Sequence, residues 1–165
     1  MKMFGVVGWK NSGKTGLVER LVKVISLKGF SVSTIKHAHH AFDIDQIGKD
    51  SYRHRQAGAQ EVILASRNRW AIMSELRGAP EPKLKTLIEK LNKVDLVLIE
   101  GFKRDTHLKI EAHRKETSQP LISIDDKTII AVASNSLEKI SELPTFDLND
   151  TDEIAKFILN KVELI

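Results

Sequence analysis

The stretch Gly8-Trp9-Lys10-Asn11-Ser12-Gly13-Lys14-Thr15 decides the fold class, because it matches G-x-x-x-x-G-K-[ST] at every fixed position. A short apolar run at residues 4–7 precedes it, and residues 15–27 follow it with apolar side chains at helical spacing. This strand, loop and helix order is the context that the pattern requires. The stretch therefore predicts a phosphate-binding loop whose backbone N–H groups and helix N-terminus face phosphate oxygens.

Two side chains of the loop are expected to have different roles in binding. Lys14 is expected between the β- and γ-phosphates, and the Thr15 hydroxyl is expected to bind Mg²⁺. The alternative is an ordinary strand-to-helix turn in which Lys14 is only a solvated charge. The expected nucleotide contacts in this part of the chain are Gly8, Trp9, Lys10, Asn11, Ser12, Gly13, Lys14, Thr15 and Gly16.

Working outward, strand and helix patterns alternate along the chain, which predicts an α/β fold. The fold class is P-loop NTPase-like, with a mixed, mostly parallel sheet and helices on both faces. A length of 165 residues predicts a single nucleotide-binding domain over residues 1–165. The expected strands are residues 4–7, 30–35, 61–65, 70–73, 96–99, 108–112, 121–124 and 129–133, and the expected helices are residues 15–27, 51–57, 83–91 and a last one that starts near 150–152.

Composition narrows the function classes. A hydrophobic share of 41% with 29% charged residues excludes a disordered chain, and no apolar run reaches the roughly 18 residues that a membrane helix needs. We therefore expect a soluble, cytoplasmic protein without membrane contact. The absence of cysteine excludes thiolate metal sites and a cysteine nucleophile. A net charge of +4 suggests an anionic partner, but the basic residues are scattered and aromatics are few, so nucleic acid is not expected.

An acidic residue ends the most apolar strand. Residues 96–99 are Leu-Val-Leu-Ile, and Glu100 and Gly101 follow directly. Ligands of open α/β sheets gather at the carboxyl ends of the strands. Glu100 is therefore expected to order the Mg²⁺ water shell or the attacking water. The alternative is an acid that is merely solvated at the strand end.

Nucleobase recognition has one tempting and one better candidate. Residues 92–95 read Asn-Lys-Val-Asp, the guanine-reading pattern N-K-x-D, but they precede a strand instead of following one, so we treat the match as a coincidence. Asn135 follows the expected strand 129–133, where its amide would meet a purine edge. An ordinary loop or helix cap is the equal alternative for Asn135.

Histidine and aspartate residues cluster after the second expected strand. His37, His39 and His40 fall within four positions, and the types suit a metal site, although no fixed spacing proves one. A second interpretation is a switch-like loop in which Asp45 approaches Mg²⁺, Lys49 meets a phosphate and the imidazoles bind another anionic ligand. A purely solvated loop is the third.

Polar residues also alternate along a later strand. Lys109, Glu111 and His113 share one face, opposite Ile110 and Ala112. Such a face is usually the solvated side of an antiparallel strand. Because this strand follows soon after Glu100, the alternative is that its polar face binds a second ligand or a partner.

Taken together, these segments resemble the MobB family, molybdopterin-guanine dinucleotide biosynthesis protein B. The resemblance covers about the first 135 residues, and its most specific parts are the histidine segment that ends in Gly-Lys-Asp-Ser and the strand end Glu-Gly-Phe-Lys. The segments that carry it are residues 8–15, 36–53, 57–59, 98–103 and 109–114.

The resemblance implies a GTP-binding protein with weak GTPase activity, usually a homodimer. It implies assistance to the guanylyltransferase that joins GMP to molybdopterin, with molybdopterin itself as a further ligand. By motif position, the metal side falls on Thr15, Asp45 and Glu100. Catalysis would rest on charge neutralisation by Lys14 and Mg²⁺, with Glu100 or Asp45 placing water.

Two other function classes share these motifs. A small-molecule kinase uses the same loop and would need a lid, for which the arginine-bearing residues 67–77 are the candidate. A nucleotide-dependent metallochaperone would use the histidine segment to hold an ion. For fast hydrolysis, Arg53, Arg55 or an arginine of the second subunit or of a partner would supply the cation that the loop itself lacks.

Overall fold

The computed structural model describes residues 1–38, 42–136, 138 and 140–165. It divides the chain into two compact units, one formed by Met1–His37 with Leu84–Ile165 and the other by Ala38–Lys83. The strands are β1 Lys2–Val7, β2 Val32–Lys36, β3 Glu61–Ala65, β4 Trp70–Ser74, β5 Leu96–Glu100, β6 Lys109–His113, β7 Ile129–Ser134 and β8 Thr145–Asp147. The helices are α1 Lys14–Leu27, α2 Asp50–Gln56, α3 Leu84–Glu89 and α4 Thr151–Lys161, with 3₁₀ turns at Lys115–Thr117 and Ile122–Ile124.

The first unit contains a six-stranded sheet in the order β2-β5-β1-β6-β7-β8. Every neighbouring pair in this sheet is parallel. The carboxyl ends of all six strands therefore lie at one edge, and within the first unit the loops that follow β1, β5 and β6 start there. The prediction of a P-loop NTPase-like, mostly parallel α/β fold is confirmed.

Helices cover both faces of this sheet. On one face, Phe4 and Leu98 pack with Leu21 of α1 and Ile158 of α4 in a fully buried cluster. On the other, Leu84 of α3 packs with Ile35, Val97 and Ile99. Each fully buried Leu or Ile contributes roughly 1.5–3 kcal/mol of transfer free energy, so the two clusters fix the layers.

The helix ends follow from local chemistry. Gly13 has a φ of 92° directly before α1, and Gly29 has a φ of 92° just after it. At α4, the Asp150 carboxylate accepts a hydrogen bond from the Glu153 backbone N–H at 3.2 Å, which satisfies an otherwise unpaired helix donor. The predicted cap near residues 150–152 is confirmed.

Two strand predictions are wrong. Residues 121–124 do not form a strand, because Ile122–Ile124 form a 3₁₀ turn whose first two amides donate to the Glu111 carboxylate. The short β8 was missed, since its three residues carry no apolar alternation that distinguishes them from a loop.

The second unit contains α2 and an antiparallel hairpin of β3 and β4. The Ser66 N–H donates to the Arg69 carbonyl at 2.8 Å and closes the turn. The predicted hairpin and its short helix are confirmed. Throughout the residues that the structure describes, every helix is too short or too polar to cross a membrane.

Candidate phosphate-binding site

The backbone of residues 8–15 takes a form that only glycine permits at its first position. Gly8 has a φ of 149°, and a Cβ there would lie 2.3 Å from the Ala112 carbonyl and 2.4 Å from the Ser12 hydroxyl. Asn11 and Gly13 also have positive φ, at 64° and 92°. The chain thus curls between the end of β1 and the start of α1, and side chains at Gly8 would break the curl.

Lys14 bends back over this loop. Its ammonium donates to the Trp9 carbonyl at 2.6 Å. Burial lowers the pKa of Lys14, the nearby Lys103 lowers it further, and Glu100 raises it. The ammonium is therefore partly desolvated and held against a loop oxygen by a single hydrogen bond that the structure describes.

Ser12 supplies a buried donor inside the curl. Its side chain is 1% exposed, and no atom of the described residues forms a hydrogen bond with its hydroxyl. Buried hydroxyls without partners are unfavourable by about 1–3 kcal/mol. An oxygen-rich ligand in the curl would remove this penalty.

Trp9 is fixed beside a second lysine. Its indole N–H donates to the Pro120 carbonyl at 2.7 Å, and the Lys103 ammonium lies 4.3 Å from the ring centroid. Burial lowers the pKa of Lys103. An open cleft of about 750 Å³ adjoins the loop, and it is lined by Trp9, Lys10, Asn11, Arg114, Glu116, Thr117 and Gln119.

Thr15 and Glu100 meet on the other side of the loop. The Thr15 hydroxyl donates to Glu100 Oε1 at 2.8 Å, and Glu100 is 7% exposed at the end of β5. Hydroxyl and carboxylate oxygens are the ligands that Mg²⁺ prefers. The structure therefore brings these two predicted metal residues together, and their donor chemistry fits the ion.

Lys36 joins this pair and was missed by sequence reasoning. Its ammonium lies 3.2 Å from Thr15 Oγ1 and 3.3 Å from Glu100 Oε1. The signal for it is the order of strands, because Lys36 ends β2 directly opposite Glu100 in the register of β5. The sequence alone does not reveal the pairing of β2 with β5, and so it gives no reason to single out Lys36.

Gly16 and Asn135 complete the predicted contacts in the first unit. Gly16 lies in the first turn of α1. The Asn135 amide donates to both Glu116 carboxylate oxygens at 2.9 and 2.8 Å, and its carbonyl accepts from the Lys115 N–H at 3.1 Å. Asn135 thus ties the end of β7 to the loop after β6, and its role as a base reader stays a prediction.

Asp45 and Lys49 belong to the second unit. Asp45 accepts from the Ser51 hydroxyl at 2.8 Å, and Arg55 Nε lies 3.4 Å from its other oxygen. Lys49 precedes α2 as its capping residue. Their expected contacts with metal and phosphate stay predictions.

Arg55 is held by carboxylates of the same unit. Its guanidinium contacts Asp43 at 2.7 Å and Glu75 at 3.1 Å in addition to Asp45, and its side chain is 10% exposed. The hydrogen bond from Arg55 lowers the pKa of Asp43. These contacts indicate that Arg55 stabilises its own unit, and its expected role as a catalytic arginine stays a prediction.

The histidine segment is described only in part. The His37 ring packs against Phe102, with 4.8 Å between the ring centroids. His39 and His40 lie outside the described residues. Within the described ranges, no group of three or more His, Asp or Glu side chains is placed to hold a metal ion.

Lys109 and Glu111 correct the prediction of a solvated strand face. Both are 0% exposed, because β6 lies between β1 and β7 in a parallel sheet. The Lys109 ammonium contacts Asp126 at 3.0 Å and also donates to Thr128 Oγ1. The Glu111 carboxylate accepts from the N–H groups of Ile122 and Ser123, each at 2.9 Å. These polar residues hold the loop after β6 onto the sheet.

Comparison with known proteins extends over most of the chain. The model of the family described as MobB, molybdopterin guanine dinucleotide synthesis protein B, matches residues 3–135. A molybdopterin-guanine dinucleotide biosynthesis adapter protein of Haemophilus influenzae is 42% identical over 161 residues, which are 96% of this chain and 88% of that protein. The protein of the same name from Escherichia coli K12 is 36% identical over 160 residues, 95% of this chain and 91% of its own length. The crystal structure of Bacillus subtilis MobB is similar with a TM-score of 0.76 at 27% identity, and the alignment covers 98% of each chain.

Proposed function

The chain belongs to the MobB family, molybdopterin guanine dinucleotide synthesis protein B, and from this premise we propose that it is a GTP-binding adapter of molybdopterin guanine dinucleotide biosynthesis. The nucleotide would occupy the loop of residues 8–15. The adapter role follows from the family and from relatives that carry this name. Nucleotide binding follows from the site itself.

One observation carries the nucleotide proposal. Lys14 turns its ammonium onto the Trp9 carbonyl at 2.6 Å, and the buried Ser12 hydroxyl of the same loop has no hydrogen-bond partner among the described residues. Both groups are donors, and both are directed into a curl that α1 follows with its positive end. The γ- and β-phosphates of a nucleoside triphosphate would accept from them and leave neither group unsatisfied.

Charge supports the same proposal. Lys14, Lys36 and Lys103 surround the loop, and Glu100 is the carboxylate that contacts Lys36 there. Burial lowers the pKa of Lys14 most, and repulsion from the Lys103 and Lys36 ammonium groups lowers it further. A triphosphate would convert this repulsion into attraction.

Mg²⁺ fits the Thr15 and Glu100 pair. The two oxygens are hard ligands 2.8 Å apart, at the end of the strand next to β1. Thr15 and Glu100 would hold the ion, with Asp45 as the third expected contributor, and the ion would neutralise charge on the phosphates. Glu100 would orient water on the same side, and we expect hydrolysis to be slow.

The proposal includes partners and location. The guanylyltransferase that attaches GMP to molybdopterin is the proposed protein partner, molybdopterin is a further proposed ligand, and a homodimer in the cytoplasm is the proposed form.

Calorimetric titration with GTPγS and ATPγS in Mg²⁺ tests the nucleotide proposal. We expect binding of GTPγS in preference to ATPγS, and loss of binding in Lys14→Ala. Lys28→Ala is the control, because Lys28 forms an exposed pair with Asp152 at the far end of α1. Equal affinity of Lys14→Ala and wild type would refute the site.

A second titration, into guanylyltransferase loaded with molybdopterin, tests the adapter role. We expect GTPγS to change the affinity between the two proteins. If the two proteins do not bind each other, with or without nucleotide, the adapter proposal is refuted.

A further inference from the structure

The register of the sheet places a lysine beside the candidate metal residues. Lys36 and Glu100 are direct partners at the ends of the neighbouring parallel strands β2 and β5. Partners in a parallel pair share a face of the sheet, so both side chains point to the side of α1, where Thr15 lies in the first turn of the helix. The position of the lysine is therefore set by the backbone and not by a chance surface contact.

Lys36 contacts the two oxygens that a metal would need. Its ammonium lies 3.2 Å from Thr15 Oγ1 and 3.3 Å from Glu100 Oε1, and the same two oxygens are 2.8 Å apart. The Glu100 side chain is 10% exposed, whereas that of Lys36 is 56% exposed. The buried carboxylate thus receives a positive partner from the solvent side, and that partner is able to leave.

An ammonium and a divalent cation compete for the lone pairs of these oxygens. The ammonium is a compact point charge whose N–H groups occupy the oxygen lone pairs. Mg²⁺ bound through the same lone pairs would also stand within a few ångströms of a like charge. Direct coordination of the ion through the lone pairs that Lys36 occupies therefore requires Lys36 to move away.

We propose that Lys36 is a resident cation that competes with Mg²⁺ for Thr15 and Glu100 and thereby sets the metal affinity of the site. The proposal rests on the proposed nucleotide and metal site. In the metal-free protein, Lys36 neutralises Glu100 and keeps the oxygen pair in place. Metal enters only by displacing it, so the lysine raises the metal concentration that the site needs.

Titration with Mn²⁺, followed by electron paramagnetic resonance, tests this competition. Mn²⁺ takes the same hard oxygen ligands as Mg²⁺. We expect Lys36→Met, which keeps the aliphatic stem, to bind Mn²⁺ about two- to fivefold more tightly than wild type, since a partly exposed ion pair contributes at most about that factor. Lys36→Arg keeps the charge and should resemble wild type. Lys28→Met removes an exposed lysine from a different carboxylate, Asp152, and should leave the affinity unchanged.

Two arms separate this inference from the function on which it rests. The titration is carried out on the nucleotide-free protein and on the protein with GTPγS. Failure of wild type to bind GTPγS would refute the nucleotide proposal alone, and the nucleotide-free arm would still test Lys36. Unchanged or weaker Mn²⁺ binding by Lys36→Met in both arms would overturn the competition. In a Glu100→Gln background the gain from Lys36→Met should vanish, and a persisting gain would place the metal elsewhere and equally overturn it.

Discussion

At the scale of single residues, Gly8 is the position with the least tolerance. Ala at this position would place Cβ 2.3 Å from the Ala112 carbonyl at a φ of 149°. We expect Gly8→Ala to weaken GTPγS binding at least tenfold, because the loop must open to relieve the contact. Calorimetric titration with GTPγS measures the change in affinity.

Gly29→Ala is the matched control for this substitution. Gly29 also has a positive φ, of 92°, but a Cβ there meets nothing within 4 Å. It should lose roughly 1–2 kcal/mol of stability from the left-handed backbone and bind nucleotide normally. Equal binding by Gly8→Ala and wild type would show that the curl is not the nucleotide cradle.

A second prediction for a single residue concerns the contribution of Lys109 to stability. Its fully buried ammonium contacts Asp126 at 3.0 Å and donates to Thr128. Lys109→Met should lower the free energy of unfolding by about 1.5–3 kcal/mol, since the Thr128 hydroxyl and the partly exposed Asp126 carboxylate lose their charged donor. Urea unfolding measures the loss, and Lys28→Met, from an exposed pair, should lose less than about 1 kcal/mol. Equal losses in the two variants would refute a structural role for Lys109.

Lys109, Glu111 and Lys36 also show where residue-level prediction ends. Alternation along residues 109–113 indicates a strand, and a strand is present. Burial of its polar face depends on partners at residues 122–128, which the pattern cannot identify. Lys36 becomes significant only through its register with Glu100, which is a property of the assembled sheet.

At the scale of elements, the helices and loops that depend on nearby residues could be predicted from the sequence. The loop of residues 8–15 and α1 follow from glycine spacing and a helical apolar stripe, and α4 follows from its stripe and the Asp150 cap. The turn at Ile122–Ile124 was predicted as a strand, because its apolar letters fit one and only the distant Glu111 carboxylate fixes its amides. The Ile122–Ile124 turn therefore depends on a distant partner, whereas α1 and α4 follow from their own sequence periodicity.

The segment before α2 carries a prediction about pH. Hydrogen bonds from Arg55 lower the pKa of Asp43 in the folded protein. The stabilisation is therefore complete above the unfolded value of about 3.9, and it is lost as the pH falls through the folded value. We expect Asp43→Asn to be less stable than wild type at neutral pH and to flatten the acid limb of the melting temperature against pH. An unchanged acid limb would show that the pair does not contribute to stability.

At the scale of the whole molecule, ligand binding should stabilise the unit that contains the six-stranded sheet. A ligand that binds only the folded state at a free concentration of 100 times its Kd adds about 2.7 kcal/mol to the free energy of unfolding. For a chain of this size that corresponds to a rise of about 5–10 °C in melting temperature.

We expect GTPγS with Mg²⁺ to produce this rise in wild type, and ATPγS at the same concentration to produce a smaller one. Lys14→Ala should show neither rise, because the ammonium over the loop is the group that we propose to contact the phosphates. Lys28→Ala, which alters an exposed pair at the far end of α1, should show both. Differential scanning fluorimetry measures the melting temperatures of wild type, Lys14→Ala and Lys28→Ala. A rise of the same size in Lys14→Ala would mean that the nucleotide stabilises the protein from a site other than the loop, since mass action stabilises a fold only through the site where the ligand binds.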